Sequence, residues 1–116
     1  MYRRNHVHAI LLLTVESMRH TFTFTTKVWL YPGLVGWHFI TLPKELAEEI
    51  KTSFAPLKKG WGSIRVEITV GKTVWKTSIF PDKKSGSYIL PLKAAIRKKE
   101  GIKDGDHLHP ALRIIL

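Results

Sequence analysis

The sequence predicts a mostly β domain: a closed or nearly closed small barrel of about six strands, capped by two short α-helices. Three observations predict it. Apolar and polar residues alternate over several short runs, which is the period of a half-buried strand. Two stretches, Trp37 to Ile50 and Ser87 to Asp106, each read as an apolar strand that meets a proline and then a helix. At 116 residues the chain is long enough to bury one core.

Taken in order, residues 1–19 differ in character from the rest of the chain and read as an N-terminal extension translated from an early start, either disordered or adding one strand, ahead of a single barrel domain over residues 20–116. Arg3 and Arg4 precede an apolar run from Ala9 to Val15, as in a signal peptide, but no small-residue cleavage site comes before Glu16 and Arg19. Seven residues are also too few to span a bilayer. From Phe22 the alternation places Phe22, Phe24, Val28 and Leu30 on one face and Thr21, Thr23, Thr25 and Lys27 on the other. Pro32 and Gly33 turn the chain into a second strand, Trp37 to Leu42. Pro43 opens a helix whose acids, Glu45, Glu48 and Glu49, suit the positive end of the dipole, with Leu46, Ala47 and Ile50 inward.

A loop through Pro56, Gly60 and Gly62 leads to the alternating strand Ile64 to Val70. Gly71-Lys72 then suits a two-residue hairpin turn with glycine first, and Thr73 to Phe80 pair back. After the polar loop Pro81 to Gly86, Tyr88 to Leu90 form a short buried strand. Pro91 lacks a backbone donor and is placed where that strand ends and the helix Ala94 to Arg97 begins. Gly101 closes the helix, Lys103 to Asp106 turn, and Leu108 to Leu116 run out extended. Aligned on Pro43 and Pro91, with Leu42 against Leu90 and Ala47 against Ala95, the two strand-proline-helix units read as a pseudo-repeat.

The motifs WHFITLP (Trp37 to Pro43), GWGSIRV (Gly60 to Val66), WKTSIFP (Trp75 to Pro81) and SYILPLK (Ser87 to Lys93) occur in that order. With them the chain resembles, over roughly His20 to Leu116, a bacterial family known only as a domain of unknown function, number nineteen-oh-five. The resemblance implies a barrel of the double-split type with helical caps, and it brings no activity. More distantly, Ile96, Arg97, Gly101, Ile102, Gly105 and Asp106 resemble the strand-proline-helix half-site of AbrB/MazE-like regulators and antitoxins, which build their barrel from two chains and bind DNA. This chain departs from them: Pro91 lies two residues early, and Glu100 stands where they usually carry leucine. Two units in one chain imply that a single copy can build such a barrel, as a monomer or weak dimer.

Charge narrows the partners. The formal charge of +10 and a pI near 10.1 are high for this length and favour nucleic acid or another polyanion. Residues 83–116 are the most basic third, with eight Lys or Arg against three acids. Lys93, Arg97, Lys98, Lys99 and Lys103 cluster on the second helix and its turn, with Lys83 and Lys84 on the loop before it. Such a cluster can neutralise phosphates, and Trp29, Trp37, Trp61 and Trp75 can offer stacking faces. The plainer reading is a solvated helix face over core tryptophans, since no base-reading consensus is present.

A second candidate is a small-ligand pocket of Trp37, His38, Trp75, Thr77 and Ser78, which mix aromatic walls with short polar groups. Metal is disfavoured: the pairs His6/His8 and His107/His109 supply two ligands each, where zinc takes three or four. No serine sits in a nucleophile elbow, and Lys83-Lys84-Ser85-Gly86 lacks the glycine-rich lead of a phosphate loop. No motif calls for a cofactor. The absence of cysteine excludes disulfides and thiolate chemistry and fits a reducing cytoplasm. The expectation is a non-enzymatic binding module with nucleic acid as leading ligand. Small-molecule binding near Trp37 and Trp75, or an enzyme of unrecognised type, are the alternatives.

Overall fold

The computed structural model describes residues 21–57, 60 and 62–116. The N-terminal extension, the His6/His8 pair and Trp61 lie outside the described residues. The fold is mostly β with two helices, and no helix among the described residues is long and apolar enough to cross a membrane.

Its most regular part is the hairpin of β5 (Ile64–Val70) and β6 (Thr73–Asp82), paired from Ile64↔Ile79 to Val70↔Thr73. Ile64, Val66, Ile68 and Val70 are buried, while Arg65 faces solvent, as the period-two pattern requires. Gly71 takes φ +60 and no non-glycine residue among those described takes positive φ, so the turn bends left-handed at its first position only.

β7 (Ser87–Leu92) pairs with β6 only from Phe80↔Ile89 to Asp82↔Ser87, and pairs on its other side with β4 (His38–Thr41). β3 (Trp29–Leu30) pairs with β4, and β1 (Thr21–Thr23) pairs with β9 (Ala111–Ile114), which also pairs with β5. β2 (Thr26–Lys27) and β8 (His107–Leu108) form a separate pair. The main sheet has the order β1-β9-β5-β6-β7-β4-β3.

Two expectations need revision. Among the described residues there are nine strands rather than about six, because one extended run, 21–30, supplies β1, β2 and β3, and another, 107–114, supplies β8 and β9. The break between them sits at Pro110, which has no N–H to give the ladder, although the register is the same on both sides (Thr23↔Ala111, Thr26↔Leu108). The ladder is also open, ending at β1 and β3 rather than returning on itself.

Pro91 does not gate the helix. It lies inside β7 opposite Phe39, and α2 (Ala94–Glu100) begins later with Lys93 as N-cap, whereas α1 (Lys44–Ser53) begins directly after its N-cap Pro43. Aligning the two helix starts sets Pro43 against Lys93, so the pseudo-repeat does not keep the proline alignment. The register explains why a strand tolerates Pro91. The Leu42 N–H donates to the Tyr88 carbonyl at 2.9 Å, which makes Phe39↔Pro91 a non-hydrogen-bonded pair. The missing donor of Pro91 therefore points toward β6, and the β6–β7 ladder has already ended at Ile89.

The β4–β7 pair is apolar on both faces. Ile40, Leu42, Tyr88, Leu90 and Leu92 are buried in the core together with Ala47 and Ile50 of α1. On the opposite face lie Phe39, Ile89 and Pro91, covered in part by an aromatic group in which Trp29 stacks on Phe39 at 5.2 Å. α2 ends at Gly101 (φ +64), where the N–H groups of Gly101 and Ile102 both return to the Arg97 carbonyl.

Candidate ligand pocket

Residues 31–37 make two tandem turns. The Leu34 N–H donates to the Tyr31 carbonyl and the Trp37 N–H to the Leu34 carbonyl, each at 3.3 Å, with Gly33 (φ +81) and Gly36 (φ +79) at the third positions. Glycine at positive φ in that place, with Pro32 before Gly33, is the chemistry of type II turns. The Tyr31 N–H closes the loop onto the Trp37 carbonyl at 2.9 Å. The loop thereby projects Val35 wholly into solvent and leaves Trp37 56% exposed above Phe39, with ring centroids 6.2 Å apart.

Between this loop, the outer face of β4–β7, the end of β6 and the start of α2 lies an open pocket of about 600 Å³. Phe39, Phe80, Ile89, Pro91, Leu92 and Ala94 make its apolar surface. Pro91 is a wall of it, and lies two residues past Ile89, where the β6–β7 ladder ends.

The polar groups at the pocket are Trp37, His38, Lys93 and Arg97. Arg97 donates from Nε to the Leu92 carbonyl at 3.1 Å and from Nη2 to the Gly36 carbonyl at 3.2 Å, so the guanidinium ties α2 to the turn that carries Trp37. His38 Nδ1 lies 2.8 Å from the same Gly36 carbonyl, and because a carbonyl only accepts, that nitrogen carries the proton.

The two sequence-predicted sites are thus regrouped. Trp37 and His38 of the expected ligand site line the pocket together with Lys93 and Arg97 of the expected nucleic-acid site. Trp75, Thr77 and Ser78 are not among the lining residues: β7 lies between β4 and β6, and these three pair instead with β5. Trp75 packs half-buried against the core, Thr77 is buried opposite Val66, and Ser78 accepts from Arg65 Nη1 at 3.4 Å. Lys98, Lys99 and Lys103 are exposed outside the pocket. Of the histidine pair at the C-terminal end, His109 Nδ1 lies 3.0 Å from Thr25 Oγ1.

Sequence reasoning missed Phe39, Phe80, Ile89 and Pro91. A signal was there: WHFITLP and SYILPLK carry apolar residues at both alternating sets of positions, which a strand with one wet face does not need.

Fold and site together define a small mostly β domain with an apolar pocket rimmed by cations. A family model described as "Domain of unknown function (DUF1905)" matches residues 24–112, and the chain belongs to that family. No curated protein matches the chain.

Proposed function

We propose that the domain is a non-enzymatic binding module that takes a small organic molecule with an apolar body into the pocket beneath Trp37. The carrying observation is the pocket's surface: about 600 Å³ is a ligand-sized volume, and its apolar residues offer no hydrogen-bonding side chain. Such a surface rewards burial of hydrocarbon, and the few hydrogen-bonding side chains beside it, Trp37, His38, Lys93 and Arg97, are the complement that pockets for small organic molecules carry. The test is titration with the neutral probe N-phenyl-1-naphthylamine, followed by its emission. Saturable binding lost in Ala94→Phe, which fills the pocket from an exposed helix position, supports the reading. Absence of saturable binding, or binding unaffected by that substitution, overturns it.

A second reading rests on Trp37, which is 56% exposed beside Lys93 and Arg97. An exposed indole flanked by cations is the pairing that single-stranded nucleic acid uses, by base stacking and phosphate neutralisation. Anisotropy of labelled DNA and RNA at about 50 and 200 mM salt decides it. Binding that falls steeply with salt and is lost in Trp37→Ala supports it, and flat titrations dismiss it.

The finer architecture belongs to the same proposal. Both ends of the open ladder, β1 and β3, lie in the run 21–30, and three bonds carry that run across the gap. The Val28 N–H donates to the Asp106 carbonyl at 2.8 Å, Thr26 Oγ1 to the Thr41 carbonyl at 2.8 Å and Trp29 Nε1 to Thr41 Oγ1 at 2.9 Å. We take this run to close a small barrel of double-split type, whose strands are 21–30, 38–41, 64–70, 73–82, 87–92 and 107–114. In a closed barrel the Val28 amide exchanges with solvent as slowly as that of Ile68; in an open sheet it exchanges faster.

A further inference from the structure

Resting on the pocket reading, we infer that its ligand is an organic monoanion, an apolar body bearing one carboxylate-like or sulfonate-like group that meets Lys93 and Arg97. Lys93, the N-cap of α2, and Arg97, within the helix, both line the pocket. No Asp or Glu is among the described residues that line it. The ion pairs among the described residues are Lys51 with Glu48 and Arg113 with Glu67, so neither pocket cation is neutralised by one.

Arg97 is held in a form suited to an incoming anion. Its two hydrogen-bond partners, the Leu92 and Gly36 carbonyls, fix the plane of the guanidinium without cancelling its charge. A guanidinium carries five N–H groups, and the Nη1 side takes part in neither bond. A cation already immobilised loses less side-chain entropy on meeting a ligand than a free lysine does. The formal charge of +10 adds a field that draws anions toward the molecule. A zwitterion gains less, because the described rim offers no carboxylate to meet its ammonium group.

Two probes with one aromatic body separate this inference from the pocket reading. 8-Anilino-1-naphthalenesulfonate carries a sulfonate that N-phenyl-1-naphthylamine lacks. The sulfonate is expected to bind on the order of tenfold tighter than the neutral probe. Lys93→Gln and Arg97→Gln should each bring the ratio of the two affinities most of the way back to one, and that ratio is the readout because Arg97 also holds the Gly36 turn and so shifts both affinities together. Lys98→Gln, a loss of the same charge outside the pocket, should change neither. Equal affinity of the two probes in the unmodified protein overturns the inference and leaves the pocket reading standing. So does an effect of Lys98→Gln as large as that of Lys93→Gln, which would assign the preference to general surface charge. Failure of both probes to bind removes the pocket reading and this inference with it.

Discussion

Arg97 and Gly36 are joined by a 3.2 Å hydrogen bond from Nη2 to the carbonyl, and that bond connects the basic helix to the loop that presents Trp37. Gly36 can make it only because φ is +79, a region that costs an L-residue about 1–2 kcal/mol. An added Cβ there meets nothing within 4 Å, so Gly36→Ala isolates the backbone cost from any clash. The expected result is a lower Tm, by several degrees for a domain of this size, with a change in tryptophan emission as Trp37 shifts. An unchanged Tm and spectrum would show that the loop keeps its shape without the glycine.

At the other end of α2, Glu100 accepts from Thr73 Oγ1 on β6, and its carboxylate lies over Gly71. A Cβ built on Gly71 would collide with Glu100 Oε1, so Gly71→Ala and Glu100 cannot both keep their places. Glu100→Ala removes the acceptor for a buried hydroxyl and should cost about 1–3 kcal/mol. In the double variant the clash is gone, and the two costs should fall short of additivity by on the order of 1 kcal/mol. Additive urea-unfolding energies would show that the two residues do not meet.

Tyr88 gives a prediction in alkali. Burial, and after it the Glu48 carboxylate, hold its phenol above the ordinary value of 10.0. The unfolded chain therefore ionises first. This contribution is intact below about pH 10 and is lost as pH rises beyond that value toward the folded pKa. Plotted against pH, the stability of Tyr88→Phe should decline less steeply over that window than that of the parent. Parallel curves would refute the assignment.

The β5–β6 hairpin separates burial from propensity. Ile68 is fully buried, and Ile68→Ala should cost about 2–5 kcal/mol, read as a lower urea midpoint at unchanged slope. Val74, also aliphatic but 55% exposed on the partner strand, should lose no more than about 0.5 kcal/mol on truncation to alanine.

These elements also mark how far the sequence can be read. The hairpin is legible because its alternation is strict and Gly71 announces the turn, and both are local properties. The pocket is legible only in halves. Trp37 and His38 carry one chemistry, Lys93 and Arg97 another, and nothing local brings the start of β4 to the start of α2. Composition groups Trp75, Thr77 and Ser78 with Trp37, but strand order keeps them apart, since β7 intervenes. Pro91 misleads for a related reason. A proline before helix-forming residues resembles a helix gate, yet what it does depends on the side to which its missing N–H points, and the pairing register of β4 and β7 sets that.

The pairing of β1 with β9 bears on how this unit can be handled by evolution or by design. The family-matched stretch starts at residue 24 and stops at 112, and there the Phe24 N–H donates to the Pro110 carbonyl at 3.2 Å while Phe22 pairs with Leu112. Entry and exit are therefore neighbours in space. Such a unit can be spliced into a surface loop of a host protein as a cassette, without prising apart the host's own strands. It can equally be circularly permuted, with a short linker from Leu116 to Thr21 that keeps the buried Ile114 and new ends in the exposed turn at Lys83–Ser85, and it should still fold around the same core.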